Sequence, residues 1–528
     1  MPATPKSPLG LTLLAIIALA LGAYYRFPTL AERPMHTDEA ILAMKFTEFH
    51  SSGHFEYDPK DYHGPGLHYL TLLWSKLAGW GAASTWTEAQ LRTVPAICGM
   101  LLLLTTLLLR DALGRRGTGL AMLLISISPM MVYYSRYFIM EVPLVLFITL
   151  TIAALWRFAQ SGRTAWLVVA GIALGLQHTT KETFAINVVA ALCGYAVAKT
   201  MCGDFAPRKT SFAMGSVRQR VARPWLWLLV ISLLTSVTIY SSGFKDWQAV
   251  MDSATTYLNY LQRSAGSGHE KSWHYYLTLI FYRKDGLVWS EAMIGGLGIL
   301  GMLYAFTGNH QKNPTRQTFL IFLAVYTFVL FGIYSFLAYK TPWSILSAQH
   351  ALTLLAGVGA AAIARSLTGK FSTLVFRLAF GVGMYHLIAQ TNLAIHRYAA
   401  DSRNPYVYAH TSSNLMRLRP QLHELQKIAP DDNFAVLVVN RDAGWPLPWY
   451  WRDIKSVAYQ TELPAAIDAR VIVAEIDMTP AIEAKFGDRD YHMQGPFGLR
   501  PGIMLNMWVE QSLWDRYTMR KQQEATAQ

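Results

Sequence analysis

The chain has 528 residues, 52% of them hydrophobic and 15% charged, with a formal net charge of +13. A soluble domain averages about 25% charged residues, so little of this chain is spent on water-facing surface. The surplus Lys and Arg sits in short loops between apolar runs, so membrane topology explains it more simply than a nucleic-acid partner does.

In chain order, the apolar run Leu9 to Ala23 follows Lys6 and is not ended by a small-x-small cleavage site, which predicts an uncleaved first span over Leu9 to Tyr25. A polar, aromatic, His-rich segment follows from Arg26 to Trp86. Within it Leu67 to Leu77 is apolar but too short to cross, and is expected to lie in the interface. Further spans are expected over Val94–Leu109, Thr118–Tyr133, Pro143–Leu155, Trp166–Gln177 and Phe184–Ala198. After a basic loop come Trp225–Tyr240, a second long polar loop from Lys245 to Asp285, then Leu287–Phe306, Phe319–Leu337, Ile345–Ile363 and Leu374–Ala389, eleven spans in all. Arg115, Arg163, Arg220, Arg316 and Lys370 fall in alternate loops. The positive-inside rule places those loops and the N-terminus in the cytoplasm, and everything beyond Thr391 outside.

The fold class expected is therefore mainly α: a polytopic helical bundle over residues 1–391, with external loops 26–90 and 244–286, followed by a small extracytoplasmic α/β domain over 392–528. In that tail Pro420 to Ile428 has the pattern of a short amphipathic helix, and Phe434–Val439 and Val471–Ala474 read as buried strands. Between them lies Trp445-Pro446-Leu447-Pro448-Trp449-Tyr450-Trp451, whose role the residues alone do not reveal. Cys98, Cys193 and Cys202 form no CxxC pair and are expected as small core residues without a disulfide or zinc.

Polar residues that the spans do not explain gather in the external connections. The first holds His36, Asp38, Glu39, Asp58, Lys60, Asp61 and His63; the second Arg136 and Glu141; the third Lys181 and Glu182; a fourth Lys340. Carboxylates at a membrane surface are costly and usually mark a site. Cations such as Arg136, Lys181 or Lys340 suit a phosphate that gains charge as it leaves, and a carboxylate suits proton abstraction from an attacking hydroxyl or amine. Each also has a plainer reading. Asp38 is a good N-cap for a helix beginning near Ala40, Arg136 an interfacial anchor, and Glu141 a partner for a helix N-terminus. Lys181-Glu182 reads as a solvated turn pair and Lys340 as a snorkelling side chain. The histidines His36, His63 and His178 lack metal-ligand spacing, so a divalent ion on Asp38, Glu39 or His36 has no support.

Several short motifs recur in order. Asp38-Glu39-Ala40 follows span one, and His63-Gly64-Pro65-Gly66-Leu67-His68 leads into the interfacial segment. Leu91-Arg92 opens span two, Ser135-Arg136-Tyr137 precedes Glu141, and Gly171 and Gly175 precede Thr180-Lys181-Glu182. On these the chain resembles the GT-C superfamily of polytopic glycosyltransferases, in the branch of protein O-mannosyltransferases and the lipid A aminoarabinose transferase. Within it the chain is most similar to the PMT-like, flippase-activity-associated membrane proteins, whose tail the Trp445–Tyr450 motif fits. The resemblance implies an inverting hexosyltransferase with a polyprenyl-phosphate-linked sugar donor, acting at the outer face of the cytoplasmic membrane on a protein, lipid or glycan. It implies Asp38 as catalytic base with Glu39 beside it, Glu141 as the acid of the second external loop, and Arg136 near the donor phosphate. His63, Lys181, Glu182 and Lys340 are the further substrate-binding candidates, and no metal or other cofactor is implied. Some relatives carry Lys before a Pro-Pro turn where this chain has His63-Gly64-Pro65. A lipid-linked-saccharide flippase is the alternative; it would place charges deep in the spans and show a two-fold repeat, and neither is visible.

Overall fold

The computed structural model describes residues 9–60, 63–203, 224–263, 270–308, 314–429, 434–441 and 444–526. Asp61, Arg208, Lys209, Arg218, Arg220, Arg223 and Lys312 lie outside the described residues. The chain opens with apolar helix α1 (Leu9–Arg26) and then two helices of the first external segment, α2 (Thr37–Ser52) and α3 (Gly66–Leu77). The expected interfacial segment is thus α3, and the helix expected to begin near Ala40 is α2, which starts three residues earlier at Thr37. The bundle continues with α4 (Glu88–Thr106), α5 (Arg115–Ile127), α6 (Pro129–Tyr134), α7 (Glu141–Ser161), α8 (Ala165–Thr180) and α9 (Phe184–Cys202). The third expected span is broken between α5 and α6. Pro129 begins a new helix there, capped by the Ser128 hydroxyl accepting from Met131 N–H.

The second half holds α10 (Pro224–Tyr240), α11 (Trp247–Arg263), α12 (Tyr275–Phe281), the hairpin β1 (Arg283–Asp285) and β2 (Leu287–Trp289), α13 (Ala292–Thr307), α14 (Pro314–Phe336), α15 (Leu346–Ser366) and α16 (Lys370–Asn392). The expected start of the eighth span at Leu287 is corrected by this hairpin. Leu287 pairs with Asp285 across Gly286, whose φ of 72° only glycine adopts readily, and the helix starts at Ala292. Among the described residues six helical stretches are long and apolar enough to cross a membrane: Glu88–Leu113, Glu141–Ser161, Phe184–Cys202, Pro314–Phe336, Pro342–Ser366 and Lys370–Arg397. Gly10–Arg26, Ala165–Thr180, Pro224–Tyr240 and Ala292–Thr307 are shorter apolar helices. All three cysteines are free, and Cys98 is buried as expected; Cys193 is exposed on α9 instead of in the core.

In the tail, α17 (Leu418–Ile428) starts two residues before the expected Pro420 and buries Leu418, Leu422 and Leu425. A five-stranded sheet follows in the order β4-β3-β5-β7-β6, made of β3 (Val436–Val439), β4 (Val457–Gln460), β5 (Val471–Glu475), β6 (Tyr491–Arg500) and β7 (Ile503–Glu510). β3 pairs in parallel with β4 and β5, and all residues of β3 and β5 are buried, which is why they read as continuous apolar runs.

Small residues bring α8 and α10 close together. A Cβ on Gly175 would stand 2.5 Å from the Ser232 carbonyl oxygen, and one on Gly171 2.8 Å from the Ile231 side chain. The Gly171/Gly175 spacing therefore lets α8 and α10 approach backbone to backbone. Gly175→Leu is expected to force them apart at a cost of about 1–3 kcal/mol. A lowered unfolding temperature in detergent checks this, and an unchanged one refutes it.

Candidate active site

The N-terminus of α2 divides the two neighbouring acids. Its N-cap is His36, not Asp38: the His36 Nδ1 accepts from Asp38 N–H at 3.1 Å, and the Glu39 carboxylate reaches back to His36 N–H at 3.0 Å. With Nδ1 accepting, Nε2 carries the ring hydrogen and donates to the Tyr408 carbonyl at 2.9 Å. Adjacent helix positions point about 100° apart, so one acid faces in and the other out. The Asp38 side chain is 48% exposed, with Oδ2 3.8 Å from His36 Nδ1.

Glu39 is fully buried and saturated. Its Oε1 accepts from Arg92 Nε (2.8 Å), Phe138 N–H (2.8 Å) and Arg33 Nη2 (3.0 Å), and its Oε2 from Arg92 Nη2 (2.8 Å). Arg33 also lies over the Tyr137 ring, 3.4 Å from its centroid. Burial pushes the Glu39 carboxyl up, but the Arg33 and Arg92 charges and the hydrogen bonds outweigh it and hold the group well below the usual carboxylate range.

Arg136 donates to the Tyr25 and Pro28 carbonyls at 3.0 and 2.7 Å and to Thr29 Oγ1 at 2.9 Å, tying down the C-terminal end of α1, while its own carbonyl accepts from Arg33. Glu141 opens α7, three residues after Phe138, and Lys181 is the C-cap of α8, positions that suit both helix dipoles. They form a buried ion pair at 2.5 Å. Glu182 is also buried and accepts from His63 Nδ1 at 3.1 Å. Burial raises the Glu182 carboxyl, but His63 and Lys181 together bring it below its ordinary range. The solvated-turn reading of Lys181-Glu182 is therefore corrected. His63 reaches Glu182 because the chain beside it lacks side chains: a Cβ on Gly66 would stand 2.8 Å from the Thr179 carbonyl oxygen, and one on Gly64 would clash with the same atom. Lys340 is buried too and does not snorkel. Its Nζ donates to the Lys271 and Leu337 carbonyls, and the following Trp343 meets the His36 ring edge-on with centroids 5.8 Å apart.

The structure thus links Asp38, Glu39, Arg136 and Glu141 through Arg33 and Phe138, and Glu141 to Lys181, Glu182 and His63 beyond. Sequence reasoning did not assign Arg33 or Arg92 to the cluster. Arg92 stood in the Leu91-Arg92 motif at the head of the next span, but nothing local to it pairs it with Glu39. It also left out the tail. Met35 N–H donates to Tyr450 Oη at 2.7 Å, Thr411 Oγ1 donates to the Met35 carbonyl at 2.6 Å, and Trp449 Nε1 donates to Glu88 at 2.9 Å. Among the described residues no group of three or more His, Cys, Asp or Glu is placed to hold a metal ion.

Residues 62–217 match the family model described as dolichyl-phosphate-mannose-protein mannosyltransferase. The chain is similar in structure to ArnT from Cupriavidus metallidurans bound to undecaprenyl phosphate, with a TM-score of 0.60, 16% identity and coverage of 95% of this chain and 98% of that one. The fold is shared with that protein over nearly its whole length. The archaeal oligosaccharyltransferase AglB from Archaeoglobus fulgidus, in complex with an inhibitory peptide and a dolichol-phosphate, is also similar in structure, at a TM-score of 0.54 and 14% identity, over 89% of this chain and 70% of that one. No curated protein sequence matches the chain.

Removing one partner of a buried pair strands the other charge, so Glu39→Gln is expected to destabilise the fold by about 3–5 kcal/mol, whereas Asp38→Asn stays within about 0.5 kcal/mol. Glu39 is held low in the folded state. Its contribution is therefore complete above the unfolded value of about 4.3 and is lost as pH falls below that toward the folded value. In thermal melts the gap between wild type and Glu39→Gln should be constant above about pH 5 and narrow below about pH 4. A gap that widens on acidification overturns the assignment.

Proposed function

We propose that this protein transfers a sugar from a polyprenyl-phosphate-linked donor to an acceptor hydroxyl or amine at the outer face of the cytoplasmic membrane, with inversion and with Asp38 as general base. The observation that carries the reading is the split acid pair. Glu39 has its oxygens committed to Arg33, Arg92 and backbone N–H groups, while Asp38 beside it presents a half-exposed carboxylate from a rigid helix start. The fold shared with ArnT and the family match over 62–217 support the class of donor. The orientation follows the loop charges: N-terminus inside, the Asp38 end and the tail outside.

In the step proposed, the acceptor oxygen or nitrogen attacks the anomeric carbon and Asp38 takes its proton. The bond between that carbon and the phosphate oxygen breaks, and its electron pair leaves with the lipid phosphate. Lys181 lies at the end of α8, held by Glu141, and supplies positive charge toward the departing phosphate. His63, hydrogen-bonded to Glu182, borders the same end of the bundle. Glu39, Arg92 and Arg33 act by fixing α2, and Arg136 by fixing the end of α1. Lys340 holds the turn that carries Trp343 against His36.

Purified protein with a labelled polyprenyl-phosphate sugar tests this. Asp38→Asn and Asp38→Ala should each lower turnover by about 10²–10⁴-fold while unfolding near the wild-type temperature. Retained turnover in both rejects the base assignment. Lys181→Ala should raise the donor KM, and an unchanged value counts against its phosphate role. Lipid scrambling by the wild type without any transfer would favour a flippase instead.

A further inference from the structure

The residues that lead into α2 have few partners of their own. His36 adopts an extended conformation (φ −68°, ψ 155°), so Met35 precedes the helix and its backbone groups cannot join the helical ladder. Met35 is fully buried, so water does not satisfy them either. Both are taken by the tail: the N–H by the Tyr450 hydroxyl at 2.7 Å, the carbonyl by Thr411 Oγ1 at 2.6 Å. The next residue, His36, is held by the Tyr408 carbonyl. Tyr450 and Thr411 are themselves buried.

The segment that carries Tyr450 is anchored in turn at the head of α4. Trp449 donates to Glu88, and Arg452 stacks on the Trp449 ring at 3.8 Å and donates to the Trp86 carbonyl. One turn further along α4, Arg92 grips Glu39. The start of α2 is thus clamped from the bundle through Glu39 and from the tail through Met35 and His36. Asp38 lies between the two clamps.

We infer that Tyr450 and Thr411 are positioning residues for Asp38, and that the C-terminal domain completes the catalytic end of the membrane module. The inference rests on the transferase reading above. A general base must stand about 2.6–3.2 Å from the proton it takes, and a misplacement of about 1 Å can cost as much as 10²-fold in rate. The Trp445–Trp451 run, whose purpose was illegible in the sequence, is the strut that holds this distance.

The test uses the full chain with the labelled donor. Tyr450→Phe and Thr411→Val each delete one hydroxyl and keep shape, and the double variant releases both groups of Met35. The double variant should lose about tenfold or more in kcat, with donor KM unchanged because Lys181, Glu141, Glu182 and His63 are untouched. Thr411→Ser restores the hydroxyl and should restore kcat. Amide exchange at Met35 should quicken in Tyr450→Phe while that of α15 stays slow. Faster exchange at Met35 with wild-type kcat overturns the positioning role. A loss shared equally by kcat and stability, with no rescue by Thr411→Ser, reduces the contact to a structural one and overturns it too. A wild type with no transfer at all overturns the transferase reading, and the inference falls with it.

Discussion

The organisation of this end of the bundle depends on the burial of one carboxylate. Moving Glu39 out of water is costly on its own, and an isolated buried charge would neutralise itself. Two guanidinium groups and two backbone N–H donors compensate it. Each donor comes from a different piece of chain: Arg33 from the end of the α1 linker, His36 from the helix cap, Arg92 from α4 and Phe138 from the turn before α7. Satisfying one side chain therefore fixes four segments against one another. Buried ion pairs are weak evidence for net stability, since desolvation consumes most of the attraction. Their firmer use is to specify one arrangement among many, and that is their use here.

The charged residues near this centre obey the same economy. Glu141 and Lys181 sit where helix ends want their signs and then pair with each other across two helices. Arg136 spends its donors on the end of α1, and Lys340 on two carbonyls of neighbouring turns. Most of the cluster that looked like a set of ligand-binding groups is thus occupied in joining helix ends. What remains turned outward is correspondingly informative, and Asp38 is the clearest case.

Much of the bundle was legible because hydrophobic length is read locally: each expected span overlaps a helix, though the third breaks at Pro129 and the eighth begins on the hairpin, and the two buried strands of the tail followed from their β-branched runs. The bounds of α2 were not legible. Its residues Thr37–Ser52 mix apolar and charged side chains without a clean stripe, and its cap is a histidine, a residue with no strong capping preference. The hairpin at Leu287 was missed because an apolar run of three strand residues merges with the helix that follows it. The saturation of Glu39 was out of reach for a different reason. It depends on Arg92, 53 positions away, and on Phe138 N–H, 99 away, and no local pattern encodes such a meeting. Gly64 and Gly66 stood in the His63–His68 motif, but only the fold reveals their close approach to Thr179.

The order of the two acids has a physical reason. In a capping box the residue at the third helical position reaches back to the N-cap backbone, and glutamate has the length for it. Glu39 occupies that position and does so while also extending to Arg92 on the far side. An aspartate there would be one methylene too short to serve both ends. Asp38, one place earlier, is turned about 100° away, and its short side chain keeps the carboxylate close to the rigid backbone. With few rotatable bonds, its position is set by the helix start itself. A longer acid at 38 would wander, and a shorter one at 39 would let the helix start drift. On the proposed reading, the pair serves as anchor and base only in the order in which it stands.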